Sequence, residues 1–409
     1  MQRPTVNWTP VTSPALGIYR PEAYGAPGGT DAAVDMPLVQ AAIDAAEAAG
    51  GGTVRLDKTY AYLAQGTEAY IGCYPGVTYG FWINGSNIVL DGNNTGILKI
   101  TGMPTFTTSF IGVLVGNGGY AGGAYVGWDT IKATGTWIRN STVKNLTFDN
   151  SALSAANIIS LTVSAISSCV ALCFCDYGAV QNVTIDKSWG STGGITSHCS
   201  SLHSTIKDIT ITLAYHLGVH IDGSEDGTFE NITITNFAIA TPVGIGINCA
   251  ANSDYRHGSY RNTIKNCTVS ECHIGIAATG EDNVITDNTI NFIDSSTTHV
   301  GIQLTTYSNV VGKYVSHANV VTGNAVTQLG VRTSWGVYLI GENVNAYDAA
   351  ALECDSHVIT DNTFTNLVFG LNLYQQSKNN IFIENTLTGC IGISVDTSGG
   401  TATGNVIQT

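Results

Sequence analysis

One pattern recurs from about residue 169 onwards and narrows the choice of fold: a glycine opens a short strand in which residue character alternates. The spacing between consecutive opening glycines is 24, 26, 31, 26, 35, 34 and 22 residues. The eight strands are GITSH (194), GVHID (218), GIGIN (244), GIAAT (275), GIQLT (301), GVYLI (336), GLNLY (370) and GISVD (392). Irregular periods of this length, with strands in a constant order, are typical of a solenoid whose coils add strands to parallel sheets.

Two further strands follow each glycine-opened strand, and an Asn or Asp stands between them, as in VITDNTI, VVTGNAV, VITDNTF and IFIENTL. Asn side chains at the same turn of successive coils can stack and hydrogen-bond one another. The sequence therefore predicts an all-β chain, a single-stranded right-handed parallel β-helix of about ten coils. A β-sandwich is the alternative, but the NG and DG turns of its hairpins are sparse here.

The N-terminal segment predicts a helix that caps the solenoid. The helix is expected over residues 37–49, with Asp35 as its N-cap, Pro37 in its first turn and a stop at Gly50–Gly52. Its apolar face would comprise Leu38, Ala42, Ile43 and Ala46. An uncapped solenoid end exposes unpaired strands and an open core, so a cap is physically required. We expect residues 1–57 to form this N-terminal segment and residues 58–409 the β-helix, as one domain overall.

The same segment, EAYGAPGGTDAAVDMPLVQAAIDAAEAAGGGTVRLD (22–57), resembles the N-terminus of the pectate-lyase-3-like proteins, within the pectin-lyase-like superfamily of right-handed parallel β-helices. The resemblance implies a carbohydrate-active protein that is extracellular or virion-associated, because the superfamily includes polysaccharide lyases, glycoside hydrolases, epimerases and phage tail depolymerases. Homotrimers are frequent in such families. The polygalacturonase motifs (NTD, DD, GHG, RIK) and the RxPxxR motif of calcium-dependent pectate lyases are missing, so no catalytic residue is carried over from either.

Composition argues against nucleic-acid and membrane partners. The net charge is −14 with only 16 Lys and Arg residues, which disfavours nucleic acid. No apolar run reaches the ~18–20 residues of a membrane span, and MQRPTVNWTP lacks the apolar core of a signal peptide. The ten cysteines contain no CxxC pair, so we expect mostly buried, reduced thiols. Cys169, Cys173 and Cys175 are the alternative candidates for a bridge or a metal site.

Charge is concentrated in GVHIDGSED (218–226), although only 11% of the chain is charged. Aligning the strands on their glycines puts an apolar column at the fourth residue, which must face the core, and outward columns at the third and fifth residues. This alignment stacks His198, Asp222 and Asn248, with His220 on the same outer face. It also puts Asp176 two coils from Glu225, roughly 9–10 Å away by strand spacing.

Two carboxyl groups ~6.5–9.5 Å apart suit inverting glycoside hydrolysis. Asp222 and Glu225, on one strand and its turn, could lie closer, and crowded carboxylates raise each other's pKa, which would keep one of them protonated as the acid. We predict Asp222 and Glu225 as the catalytic acid and base, with His198 and Asp176 in support. His220, Asp226 and Asn248 are expected to bind substrate. A calcium ion held by Asp222, Glu225 and Asp226 is an alternative, as is an ordinary solvated surface; apart from that calcium ion, no cofactor is predicted.

Three successive coils lengthen after the glycine-opened strand, at residues 249–261, 305–317 and 340–356. Insertions at one turn project from one side, so these would form the wall of a groove. Aromatic and basic residues suit sugar faces and acidic sugar groups. The predicted substrate-binding residues of the first two insertions are Tyr255, Arg256, His257, Arg261, Tyr307 and Lys313.

Two classes of function follow from these residues. The first is a polysaccharide-degrading enzyme, with hydrolysis by paired carboxylates favoured over β-elimination on a uronate polymer. A lyase would use His198, His220, Tyr255, Arg256 or Lys313 as the base. The second class is a non-catalytic glycan-binding β-helix of a tail fibre or adhesin. The expected partner in both classes is a polysaccharide or oligosaccharide.

Overall fold

The glycine-opened strands form the first of three sheets that run the length of the solenoid. The computed structural model describes residues 17–29, 31–63, 65–71, 74–101, 110–116, 120–121, 124–125, 137–153, 168–189, 193–198, 201–237, 244–250, 259–293, 298–308, 313–330, 333–341, 353–374, 376–396 and 403–408. Sheet 1 has 12 strands: Gln65–Ile71, Tyr74–Ile83, Phe110–Gly116, Ser168–Cys173, Ile195–His198, Leu217–Asp222, Ile245–Ala250, Ile274–Ala278, Val300–Thr305, Trp335–Ile340, Phe369–Tyr374 and Gly392–Asp396.

Sheet 2 follows sheet 1 in each coil and consists of two-residue strands. Five of them form one ladder: Ser259–Tyr260, Gly280–Glu281, Ser316–His317, Cys354–Asp355 and Ser377–Lys378. Ile138–Arg139 and Cys175–Asp176 pair in the same way in the earlier coils. Single bridges at Leu202 and Glu225 connect the two groups, so one column of residues continues along the solenoid.

Sheet 3 closes each coil and contains 19 strands. They are Ile18–Tyr19, Gly52–Arg55, Thr59–Tyr62, Ile88–Ile100, Thr142–Asp149, Ala179–Lys187, Thr205–Leu213, Thr228–Ile234, Thr263–Lys265, Thr268–Ser270, Val284–Thr286, Thr289–Phe292, Val320–Thr322, Ala325–Gln328, Val358–Thr360, Thr363–Thr365, Ile381–Ile383, Thr386–Thr388 and Val406–Ile407. The pairing through residues 194–300 is parallel throughout the described residues, which confirms the β-helix.

Three antiparallel pairings occur among the described residues: Gln65–Ile71 with Tyr74–Ile83 in sheet 1, Tyr120–Ala121 with Ala124–Tyr125, and Tyr307–Ser308 with Lys313–Tyr314. A 3₁₀ helix, Pro21–Tyr24, precedes the capping helix. Among the described residues, no helix is long and apolar enough to cross a membrane.

The predicted capping helix is present, but it begins earlier than expected. Helix α1 spans Ala32–Ala48, and its N-cap is Asp31, whose carboxylate accepts from the Ala33 amide at 3.0 Å. Asp35 lies inside the helix, is 1% exposed and accepts from the Ala61 amide at 2.9 Å. The sequence-based assignment of Asp35 as the cap, with Pro37 in the first turn, is therefore wrong. Asp35 instead satisfies a backbone donor of the first coil, which is a tertiary contact that local capping rules do not foresee.

The core consists of inward columns that follow the predicted alternation. Except in the last coil, where Val395 is 48% exposed, the column after each opening glycine and the column two residues later are almost fully buried. The second of these reads Ser197, Ile221, Cys249, Ala278, Leu304, Leu339, Leu373 and Val395. Among the described cysteines, eight are free, and seven of those are buried, as predicted; Cys73 and Cys199 lie outside the described residues. Burial raises the pKa of the Cys249 thiol to about 12.

Two ladders of buried asparagines run through the turns, as the DN, GN and EN pairs predicted. One joins Asn262, Asn283, Asn319, His357, Asn380 and Asn405, and the other joins Asn288, Asn324, Asn362 and Asn385. In each step between two asparagines, the side-chain oxygen of one accepts from the backbone and side-chain amides of the other, which lies in the coil before. At His357, the ring Nδ1 accepts from Asn319 and the backbone amide donates to Asn380. The ladders thus satisfy buried backbone groups at turns where no strand can do so.

His357 occupies one position of the first ladder and makes the solenoid sensitive to acid. It is fully buried, and its Nδ1 accepts from the Asn319 amide at 3.1 Å. Burial lowers its pKa from 6.5 to about 3. The neutral ring therefore stabilises the fold above pH 6.5, and that stability is lost as the pH falls from there towards 3.

We expect His357→Asn to extend the asparagine ladder and remove this loss. Between pH 7 and pH 4.5 the free energy of unfolding of the wild type should fall by about 2–3 kcal/mol more than that of the variant. Denaturant unfolding of both proteins at the two pH values measures the difference. Equal pH dependence of the two proteins would contradict the prediction.

Candidate functional site

The turn from sheet 1 to sheet 2 carries the three insertions, as predicted. Strands of sheet 1 end at Ala250, Thr305 and Ile340, and the chain re-enters sheet 2 at residues 259, 316 and 354. The three coils are not successive, however. Between the first two lies a coil in which Thr279 alone links the sheets, so the prediction of adjacent insertions is wrong. The short turn at Thr279 therefore separates the first insertion from the second along the solenoid.

Asp222 lies at this turn, beside the start of the first insertion. It ends the strand Leu217–Asp222 and pairs with Ala250, the last residue before the insertion. Asp222 is only 6% exposed although it is on the outer side of the sheet. The outer face of sheet 1 is covered here, so Asp222 is a carboxyl group in a confined site.

His220 and Asn248 extend this site along the outer face. The Nε2 atom of His220 is 3.7 Å from Oδ2 of Asp222, and its Nδ1 atom is 3.2 Å from Nδ2 of Asn248. An amide nitrogen only donates, so Nδ1 accepts the hydrogen bond and a neutral His220 carries its proton on Nε2, which faces Asp222. Asn248 therefore fixes the tautomer of a neutral His220, whose Nε2 atom lies near Asp222 but beyond hydrogen-bond distance.

The predicted stack of His198, Asp222 and Asn248 is wrong in its register. Asn248 pairs with His220, and Asp222 pairs with Ala250. The glycine that aligns with Gly218 is Gly246 and not Gly244, because a Cβ at Gly246 would collide with Val269 and with the backbone of the next coil. The tandem GIG offered two glycines, and only packing against sheet 3 distinguishes them. His198 directly follows the last residue paired with the strand of Asp222, opposite Cys173.

Asp176 and Glu225 share one column of sheet 2, two coils apart, as predicted. In this column, as far as the structure describes it, a carboxylate stands in every second coil. It reads Arg139, Asp176, Leu202, Glu225, Tyr260, Glu281, His317, Asp355 and Lys378. This spacing avoids the repulsion that carboxylates in adjacent coils would cause.

Arg261 binds two of the predicted site carboxylates. Its Nη2 atom is 3.0 Å from Glu225, and its Nε and Nη2 atoms contact Asp226 at 2.7 and 2.9 Å. Hydrogen bonds to Asp226, reinforced by Glu225, raise the pKa of Arg261. Both carboxylates are thereby fixed in position by charge-assisted hydrogen bonds. Glu225 and Asp226 are thus both ion-paired with Arg261, while Asp222 lies buried beside His220.

The structure describes only some of the predicted substrate-binding residues of the insertions. Tyr255, Arg256 and His257 lie outside the described residues. Tyr307 and Lys313 are on opposite strands of the hairpin in the second insertion, where Tyr307 pairs with Tyr314 and Ser308 with Lys313. The second insertion thus contains a short antiparallel hairpin.

Sequence reasoning missed His203, Tyr177 and Arg139. His203 contacts Asp176 at 2.9 Å and stacks on Tyr177, while Arg139 is 3.5 Å from Asp176. Each coil has one residue in a left-handed conformation directly after the sheet 2 position. Aligning the segments DYG (176–178), LHS (202–204) and EDG (225–227) on that residue would have placed Tyr177 and His203 at equivalent positions in neighbouring coils.

The fold and these columns define the class: a right-handed parallel β-helix with the pectin-lyase-like fold, as the N-terminal resemblance implied. Residues 193–343 match the family of right-handed β-helix regions. No curated protein is detectably similar to the chain in sequence.

Solved structures share this fold at low sequence identity. The tailspike of E. coli bacteriophage HK620, in complex with a pentasaccharide, has a TM-score of 0.70 at 15% identity over 95% of this chain, which spans 66% of the tailspike chain. The A-module of the Azotobacter vinelandii mannuronan C-5 epimerase AlgE6 has a TM-score of 0.59 at 15% identity, covering 96% and 99% of the two chains. The exopolygalacturonase of Thermotoga maritima has a TM-score of 0.58 at 13% identity, covering 96% and 92%.

Proposed function

We propose that the protein is a polysaccharide-degrading glycoside hydrolase whose substrate binds along the turn between sheet 1 and sheet 2. The observation that carries the proposal is that two carboxyl groups in different surroundings lie at one turn. Asp222 is buried beside His220, and Glu225, three residues later, is ion-paired with Arg261. Named similar structures include an exopolygalacturonase, a mannuronan epimerase and a tailspike bound to a pentasaccharide, which supports a carbohydrate substrate.

The difference between the two groups suggests a role for each. Burial favours the neutral form of a carboxyl group in general, which suits Asp222 to protonate the leaving glycosidic oxygen. Glu225 is held in position by its ion pair with Arg261, which suits it to activate the attacking water. His220 and Asn248 would orient Asp222, and His198 and Asp176 would support the two acids from the neighbouring coils.

The loop residues would bind the sugar chain. Tyr255, Arg256, His257, Tyr307 and Lys313 belong to insertions that begin at this turn, and aromatic and basic side chains bind sugar faces and acidic groups. Arg261 and Asp226 would border the same surface. A calcium ion at Asp222, Glu225 and Asp226 would have to compete with Arg261 for two of its three ligands. A location outside the cell or on a virion and a homotrimeric assembly accompany this proposal as predictions.

A lyase is the second candidate, and His220 is the observation that favours it. Its imidazole lies on the outer face beside a buried carboxylate, an arrangement that suits a base for proton abstraction next to a uronate carboxylate. Arg261 would then have to neutralise the uronate, although it is already paired with two carboxylates. We therefore favour hydrolysis.

Incubating the protein with polygalacturonate, mannuronan and a neutral glucan, and measuring new reducing ends and ultraviolet absorbance, distinguishes these functions. We expect new reducing ends without the ultraviolet absorbance of an unsaturated product. Reducing ends with that absorbance would identify a lyase and overturn the hydrolase proposal. Tight binding without any new reducing end on any of the three polymers would identify a glycan-binding protein, with the same consequence.

A further inference from the structure

The rings of Tyr177 and His203 form a stacked pair on the turn from sheet 2 to sheet 3, in the two coils that precede the coil of Glu225. Their centroids are 4.5 Å apart and their planes differ by 8°. They occupy equivalent positions in neighbouring coils, each directly after a sheet 2 residue. Tyr177 is 53% exposed, so the pair presents an aromatic surface to solvent and is not part of the core.

A chain of charged groups holds the pair in place. Nδ1 of His203 is 2.9 Å from Oδ1 of Asp176, whose other oxygen is 3.5 Å from Nε of Arg139. A carboxylate accepts, so His203 donates from Nδ1 and a neutral ring keeps Nε2 as an acceptor. The ring is therefore fixed in orientation and in tautomer.

The fold gains little from these two residues at these positions. Tyr177 has φ 58°, in the left-handed region that bulky side chains rarely adopt, and His203 has φ 50°, which His tolerates better than Tyr. The other described coils place mainly small, polar or charged residues at the same point: Asn140, Asp226, Arg261, Asp282, Ala318, Ser356 and Asn379. An aromatic pair here combines backbone strain with an exposed apolar surface, a combination that is concentrated at ligand sites.

We propose that Tyr177 and His203 form a subsite that binds one pyranose ring of a polysaccharide at the end of the groove. The apolar face of the sugar packs on the Tyr177 ring, and a sugar hydroxyl donates to Nε2 of His203. His203 lies between Tyr177 and Asp226 in successive coils, so the bound polymer runs along the solenoid axis from this subsite towards Glu225. The inference rests on the proposed function in requiring a polysaccharide ligand.

The test replaces the platform without changing the backbone. Asn tolerates the left-handed conformation, so Tyr177→Asn removes the ring and should leave the fold intact. We expect the KM for long oligosaccharides of polygalacturonate or mannuronan to rise on the order of 10-fold, the value for the shortest cleaved oligosaccharides to be unchanged, and kcat to be retained. Tyr24→Asn, at an exposed tyrosine of the N-terminal 3₁₀ helix, is the matched control and should behave as the wild type.

His203→Asn provides a second variant in case Tyr177→Asn folds poorly, and it should weaken the binding of long oligosaccharides in the same direction. Unchanged KM at every length, or an equal loss for short and long oligosaccharides, overturns the subsite while leaving the proposed hydrolase intact. If the wild-type protein neither binds nor cleaves any of the polymers, both the subsite and the proposed function fail.

Discussion

Asp222→Asn should lower kcat by about 10²–10⁴-fold on a polysaccharide that the wild type cleaves, with KM little changed. Asparagine keeps the size of the side chain and its ability to accept a hydrogen bond, but it cannot donate a proton to a leaving oxygen. Asp222 is 6% exposed and faces Nε2 of His220, so the substitution leaves its surroundings filled and polar. The loss should therefore appear in turnover and not in the folding of the protein.

Glu230→Gln is the matched control for this experiment. Glu230 is a carboxylate on the outer face of sheet 3, 3.3 Å from Lys265, and it lies away from the turn that carries the insertions. Its replacement should leave kcat and KM as they are. Glu225→Gln should reduce kcat as Asp222→Asn does. Wild-type turnover in both Asp222→Asn and Glu225→Gln would refute the assignment and make the basic residues of the insertions, Arg256, His257 and Lys313, the leading candidates.

Asn324→Leu should lower the free energy of unfolding by about 3–5 kcal/mol. Asn324 is 1% exposed, and its Oδ1 accepts from the backbone and side-chain amides of Asn288 at 3.0 and 2.9 Å. Its own Nδ2 donates to the carbonyl oxygens of Ile285 and Thr322. Leucine removes the hydrogen-bond partner of both Asn288 donors and of the Ile285 carbonyl oxygen. Each buried group left without a partner costs about 1–3 kcal/mol. Guanidinium unfolding monitored by circular dichroism measures the change.

Two further variants show whether the ladder is the cause. Asn324→Asp retains the acceptor but directs its second oxygen at the carbonyl groups of Ile285 and Thr322, so we expect a comparable loss. Asn291→Leu changes a half-exposed asparagine on the outer face of sheet 3 and should alter stability by less than about 0.5 kcal/mol. If Asn324→Leu were as stable as Asn291→Leu, hydrogen bonding along the ladder would not be what holds adjacent coils together.

Much of this architecture could be read from local patterns because a parallel solenoid repeats its contacts at regular intervals. The alternation in GVHID and its counterparts predicted the buried columns of sheet 1. The residue pairs DN, GN and EN predicted the ladder that contains Asn324. The positions of the insertions after sheet 1 also followed from the sequence, since an insertion in a repeat can only lengthen a turn.

Register and electrostatic pairing could not be read in this way. The tandem glycines at 244 and 246 fit the repeat equally well, and only the crowding of Gly246 by Val269 selects the second. That difference of two residues moves Asn248 from Asp222 to His220. Likewise, local rules chose Asp35 over Asp31 as the helix cap, because they do not include the amide of Ala61, to which Asp35 is bound.

The sequence by itself determined the right-handed β-helix, its capping helix, its asparagine ladders and the turn at which a groove is expected, because each depends on short patterns repeated from coil to coil. The tertiary structure alone decided which charged groups meet. Arg261 reaches Glu225 and Asp226 from the next coil, 35 residues or more along the chain, and Asp176 reaches His203 in the same way. Ion pairs and ring stacking act across coils over a few ångströms, and irregular coil lengths hide from the sequence which residues come that close.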